Sequence, residues 1–97
     1  MPEYRLTPSA KSDLIEIWNY TVETWGERQA ERYLQDIEDM LTQLSVNPGL
    51  GRYRPEICPG YYSFPVRKHV IFYMNSGRYI DIIGILHGKM DTDKNLM

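Results

Sequence analysis

Residues 62–87, YSFPVRKHVIFYMNSGRYIDIIGILH, decide the fold. Apolar residues recur here with a period of two, the repeat of a strand with one face against a core. Tyr62, Phe64 and Val66 alternate on a first strand, where Pro65 marks an edge or a bulge because it has no N–H for the ladder. His69–Asn75 is a second strand, with Val70, Phe72 and Met74 on one face and Ile71 and Tyr73 on the other. Asn75-Ser76-Gly77 supplies a hairpin turn, since asparagine and glycine tolerate positive φ. Tyr79–His87 is a third strand. Ile80 and Ile82 are in phase until Gly84 moves the register toward Ile83 and Ile85, the mark of a bulge. Consecutive strands joined by tight turns form an antiparallel meander.

Upstream the period changes to 3.6. After a short alternating segment, Glu3–Thr7, the pair Thr7-Pro8 starts a helix: threonine caps a free backbone N–H, and proline at the first position sacrifices none. Leu14, Trp18, Val22 and Trp25 form one stripe to Trp25, flanked by Ile15 and Ile17. Gly26 interrupts. A second helix carries Ala30, Tyr33, Leu34, Ile37, Met40, Leu41 and Leu44 on one face, and Asn47-Pro48-Gly49 stops it. So short a connection folds the helices into an antiparallel hairpin. Residues 48–60, dense in glycine and proline, read as a loop. The expected architecture is α+β, in the order β-α-α-β-β-β, with the helical hairpin packed on one face of a small, mostly antiparallel sheet.

The chain of 97 residues, 42% hydrophobic and 25% charged, is expected to form a single domain over 1–97 with a polar tail at 88–97. No apolar run approaches the roughly 20 residues of a membrane span, and no secretory signal is legible at the amino terminus. A lone Cys58, which forms no internal disulfide, points to a reducing compartment, the cytoplasm. The net charge is −2, unevenly spread: residues 1–47 hold nine acids against four bases, residues 48–97 seven bases against four acids. The basic half suits an acidic partner, or the halves neutralise each other across the fold.

Standard catalytic signatures are absent. No phosphate-cradling glycine loop, zinc-spaced Cys/His cluster or nucleophile elbow occurs, and no cofactor or metal is expected. Two features carry possible chemistry. Arg52, Arg54, Arg67 and Lys68, interleaved with Tyr53, Tyr61, Tyr62 and Tyr73, offer phosphate contacts and stacking surfaces for RNA; against this, the arginines can pair with Glu56 and with acids of the helices while the tyrosines cover the sheet. His87, followed by Gly88-Lys89-Met90-Asp91, is a candidate general acid or base, or a residue that orders the strand end.

The order of elements, together with TPSAKSDLIEIWNYTVETWG, SVNPGLGRYRPEI, SFPVRKHVIFY and IDIIGILHGKMD, resembles the ParE branch of the RelE/ParE toxin superfamily over about residues 3–93. The resemblance implies a bacterial type II toxin, held inactive by a ParD-like antitoxin. The free toxin would inhibit DNA gyrase by protein–protein binding, without catalysis, and would meet operator DNA only through the antitoxin. The RelE branch implies the alternative of ribosome-dependent mRNA cleavage. No tyrosine follows Tyr79, and the pI of about 5.6 suits a polyanionic ribosome poorly, although Arg67 and His87 are kept. An inactive toxin that serves only as a corepressor is the third reading. Target contacts are expected at Arg67, Lys68, His87, Lys89, Met90 and Asp91. Contacts with the antitoxin, expected to be a smaller acidic polypeptide, fall on Trp18, Trp25, Tyr33, Tyr62, Phe64 and Tyr73.

Overall fold

The computed structural model describes residues 3–88. Eight elements follow one another: β1 (Tyr4–Leu6), α1 (Pro8–Trp25), α2 (Glu27–Val46), a single 3-10 turn (Pro48–Leu50), β2 (Arg52–Tyr53), β3 (Tyr61–Val66), β4 (His69–Asn75) and β5 (Ile80–His87). One sheet holds the strands in the order β1-β5-β4-β3-β2. The expected α+β architecture is present, with two refinements. The first strand returns to the far edge and pairs with β5 in parallel, Tyr4 opposite Ile80 and Leu6 opposite Ile82. The segment 48–60 is more ordered than its composition suggests: it contains the 3-10 turn and β2, whose Arg52 and Tyr53 pair with Ser63 and Tyr62. A two-residue strand leaves no periodicity to detect. Because β2 ends there, Pro65 lies beyond its reach and costs the sheet no outer hydrogen bond.

Thr7 caps α1 as its sequence requires, its Oγ1 accepting the Ala10 N–H at 3.1 Å. The buried face of α1 differs from the expected stripe. Ala10, Ile17 and Thr21 are buried, Leu14, Trp18 and Val22 are half-buried, and Trp25 is 66% exposed. The buried line is therefore rotated from the tryptophan line toward the small and β-branched residues. Thr21 satisfies its hydroxyl locally by donating to the Ile17 carbonyl at 2.6 Å. On α2 the expected face is the observed one, with Ala30, Ile37, Leu41 and Leu44 buried. Ile37, Leu41 and Leu44 join Ala10 and Ile17 of α1 and Val66, Ile71, Tyr73, Ile80, Ile82 and Ile85 of the sheet in one core.

The bulge in β5 falls where glycine announced it. Phe72 pairs with Gly84 while Tyr73 pairs with Ile82, which leaves Ile83 as the extra residue. The N-cap of α1 and one residue within the helix close the gap. The Thr7 hydroxyl lies 3.1 Å from the carbonyls of both Ile82 and Ile83, and Asp13 Oδ2 accepts the Ile85 N–H at 2.9 Å.

Tyr73 is the polar pin of the core. Its ring is fully buried, and its hydroxyl donates to the Pro48 carbonyl at 2.6 Å and accepts the Gly51 N–H at 3.0 Å. A β-carbon at position 51 would collide with that hydroxyl, so glycine is required by space. Tyr73→Phe leaves two backbone groups without their partner and is expected to lower unfolding free energy by about 1–3 kcal/mol. Denaturant unfolding of the two proteins checks this, with the larger loss expected for Gly51→Ala.

Candidate functional site

Two surfaces concentrate the chemistry, one at the β1 edge of the sheet and one where the β3–β4 turn meets the end of β5. The first is an open groove of about 390 Å³ between β1 and the helical hairpin. Tyr4 and Leu6 contribute from β1, Leu14 and Trp18 from α1, and Leu34, Ile37 and Leu41 from α2; Glu31, Gln35 and Glu38 stand on the α2 side. The helices shield the sheet from above, but the three residues of β1 are too few to fill the edge beneath them, so apolar side chains remain open to solvent. Burial, and then the charge of Glu38, push the Tyr4 phenol pKa upward.

The second is a polar junction where α2 meets the β3–β4 turn and the end of β5. The turn is only Arg67 and Lys68, between the paired residues Val66 and His69. Arg67 has φ +55°, a conformation that bulky residues rarely adopt. Its side chain is held by α2: Nε donates to Asp36 Oδ2 at 2.6 Å, and the guanidinium lies 5.3 Å from the Tyr33 ring centroid. Tyr33 binds the backbone beside it, accepting the Lys68 N–H at 3.1 Å, with His69 Nδ1 at 2.6 Å. The imidazole tautomer sets which of Tyr33 and His69 donates in this contact. His87 sits across the ladder from His69, their rings edge to face at 5.4 Å, and Gly88 N–H donates to the Lys68 carbonyl at 2.7 Å.

The structure thus brings Arg67, Lys68 and His87 together, while Lys89, Met90 and Asp91 lie outside the described residues. Of the aromatic set, Trp18 enters the groove, Trp25 stands exposed at the hairpin tip, and Tyr33 belongs to the junction. Tyr62 and Phe64, half-buried, lie on β3, separated from β1 by β4 and β5. Tyr62 stacks on Tyr73 and is met from outside by Tyr53. Tyr73 is the exception among the aromatic residues: fully buried and bonded to the chain's own backbone, it supports that platform from beneath and presents no surface.

The basic set separates in the same way. Arg54 is buried against Ser63 and pairs with Glu56, and Arg67 pairs with Asp36, so the arginines answer acids of their own chain while tyrosines cover the sheet. His69, Asp36, Glu31 and Glu38 had no signal of their own in the sequence. Tyr33 and His69 are 36 positions apart, and only the register of β4 beneath α2 makes them neighbours. Among the described residues no group of three or more metal-binding side chains occurs, and no helix is long and apolar enough to cross a membrane.

This fold, with its open groove beside a helical hairpin, is matched among known proteins. Residues 4–92 fit the model of the ParE toxin of the type II toxin–antitoxin system parDE. Toxin ParE1 of Mycobacterium tuberculosis is 40% identical over 94 residues, covering 96% of both chains. Toxin ParE1 of Caulobacter vibrioides is 33% identical over 96 residues, covering 99% of both. A chain from a chromosomal ParDE system of P. aeruginosa superposes with a TM-score of 0.77 at 25% identity, covering 90% of this chain and 96% of the other. The YoeB–YefM toxin–antitoxin complex of Staphylococcus aureus, at 17% identity and a TM-score of 0.58, shares the fold. The chain belongs to the ParE toxin family, within the RelE/ParE superfamily, and is a toxin of a type II toxin–antitoxin system.

The junction is expected to respond to pH. Burial, then the neighbouring His87, depress the His69 pKa below 6.5, against an opposing pull from Asp13. Above 6.5 both folded and unfolded forms hold a neutral imidazole. Below it the unfolded chain takes up a proton that the native site resists, so stability falls as pH drops. Thermal unfolding between pH 7 and about 5.5 measures the slope, and His69→Gln is expected to flatten it.

Proposed function

We propose that this toxin acts by contact: it inhibits DNA gyrase through protein–protein binding, without catalysis, and is neutralised by a ParD-like antitoxin that occupies the groove beside β1. The observation that carries the second half is the groove itself. A chain of 97 residues leaves Leu6, Leu14, Trp18 and Leu34 open in one concavity, with Trp25 exposed at the tip of the same hairpin. An extended or helical segment that folds on binding buries such a surface. Tyr62 and Phe64 at the opposite edge and Tyr33 at the junction extend the antitoxin contact if the segment wraps the sheet. The site of action is the cytoplasm, where gyrase and DNA reside, and operator DNA is reached only through the antitoxin.

The target face is proposed at the junction, on Lys68 and His87 with Arg67 framing them, continuing through Lys89, Met90 and Asp91. Support comes from their convergence at one end of the sheet, where the chain emerges toward residues 89–97. Two observations favour contact over RNA cleavage. Arg67 is paired with Asp36, and His69 is hydrogen-bonded with the Tyr33 hydroxyl, so one cation and one base near His87 are already engaged. The net charge of −2 also opposes non-specific attraction to RNA.

Purified toxin is expected to stop gyrase-driven supercoiling and to leave ribosome-bound mRNA intact. Cut transcripts, lost on His87→Ala, would establish the ribonuclease instead, and failure in both assays with antitoxin binding retained would leave a corepressor. Charge reversal at Lys68 and Lys89, or removal of residues 89–97, is expected to relieve growth inhibition at unchanged melting temperature. Full toxicity of those variants would move the target face elsewhere.

A further inference from the structure

The chain has two histidines, His69 and His87, and they face each other across the β4–β5 ladder. The Gly88 N–H bonds to the Lys68 carbonyl just outside the pair, so the histidines occupy a non-hydrogen-bonded position, where facing side chains stand closest. Their rings lie edge to face, 68° apart in plane, with centroids 5.4 Å apart. Both residues are half-buried, and the Tyr33 hydroxyl of α2 lies 2.6 Å from His69 Nδ1.

That spacing is the one a shared cation requires. A tetrahedral zinc ion sits about 2.0–2.1 Å from an imidazole nitrogen, hence about 3.2 Å from the ring centroid, and two rings around it have centroids about 5.2 Å apart. The observed 5.4 Å agrees. Ligation uses one nitrogen of each ring. On His69 the Tyr33 hydroxyl occupies Nδ1, which assigns Nε2 to the metal. The remaining imidazole proton then sits on Nδ1 and donates to the Tyr33 oxygen, which also accepts the Lys68 N–H. His87 keeps its second nitrogen for its other interactions. The surroundings also suit a cation. The negative charge of Asp13 acts on His69, and Arg67, in the adjoining turn, is paired with Asp36. Burial, then His87, hold the His69 pKa low, so its imidazole is neutral at neutral pH, the form that binds metal.

We infer that His69 and His87 form a two-histidine site for a divalent transition-metal cation such as Zn2+, with Tyr33 as the positioning residue behind His69. Water completes the coordination, since among the described residues no group of three or more metal-binding side chains occurs. Imidazole donors select Zn2+, Ni2+ and Cu2+ over the hard cations Mg2+ and Ca2+. A bound ion ties β4 to β5 at the end of the sheet and, through Tyr33, ties both to α2.

The test titrates the full-length toxin, first stripped with chelator, with Zn2+ alone near neutral pH, read by calorimetry and by the imidazole nitrogen resonances. One equivalent is expected to bind, to shift the His69 Nε2 and His87 signals and to raise the melting temperature, while Mg2+ does none of these. His69→Gln and His87→Gln are each expected to weaken Zn2+ binding at least tenfold; circular dichroism checks their fold, and His87→Gln decides the matter if His69→Gln unfolds. Tyr33→Phe should weaken binding about tenfold and let the metal signal spread to His69 Nδ1, which mere loosening of the fold would not do. Absence of Zn2+ binding overturns the inference, as does unchanged affinity in folded His87→Gln. Loss of binding on removal of residues 89–97 would place the ligands in the tail and overturn it too. Unchanged affinity and an unmoved signal in Tyr33→Phe overturn the role given to that residue.

Discussion

The arrangement depends on the way α1 is clamped to the bulge of β5. A bulge frees backbone groups from the ladder, and in a buried strand those groups need other partners. Here Thr7, the N-cap of α1, and Asp13, six residues further on in the helix, meet the carbonyls of Ile82 and Ile83 and the N–H of Ile85. The same threonine caps the helix, so one residue fixes where α1 begins and how it sits on the sheet. A β-carbon on Gly84 would lie only 3.4 Å from the Asp13 carboxylate, which keeps side-chain bulk away from the clamp. With α1 set, the short linker at Gly26 sets α2, and the gap left beside β1 becomes the groove.

Polar anchors hold the opposite side. Tyr73 binds the 3-10 turn and Gly51, and Tyr33 binds the β3–β4 turn, so two tyrosine hydroxyls fasten loops to the body of the protein from below and from above. In each a backbone N–H occupies one side of the oxygen; the Tyr73 O–H is aimed at the Pro48 carbonyl, and the Tyr33 oxygen also meets His69 Nδ1. The junction around Tyr33 also holds Arg67 at positive φ, a conformation worth on the order of 1–3 kcal/mol in strain that contacts with Asp36 and the tyrosine ring help to offset. A hydrogen-bonded end of the sheet and an open groove thus sit on one small domain.

Much of this was legible in the residues. Period-two alternation gave the meander, Thr7-Pro8 and Asn47-Pro48-Gly49 gave the helix limits, and Gly84 marked the bulge. The face of α1 was misjudged because tryptophans dominate any hydrophobic tally, whereas close packing against β5 favours small Ala10 and a self-satisfied Thr21. Tyr73 looked like surface chemistry because its neighbours Tyr53 and Tyr62 are aromatic; only the strand order shows that the third ring of that stack lies under α2 and the 3-10 turn. An uncovered apolar groove that includes Trp18 was to be expected of so small a chain, but its leucine lining was not legible, for a related reason. Leu14, Leu34 and Leu41 read as core, and nothing in a linear pattern tells that the strand beneath them is three residues long.

The sheet's outer margins carry a consequence for solubility. β1 spans three residues and β2 two, and Pro65 interrupts the stretch of β3 that β2 leaves bare. These two outer strands are so brief that they themselves give another polypeptide little ladder to extend. The apolar concavity beside β1 thus lies next to a margin with little ladder to offer.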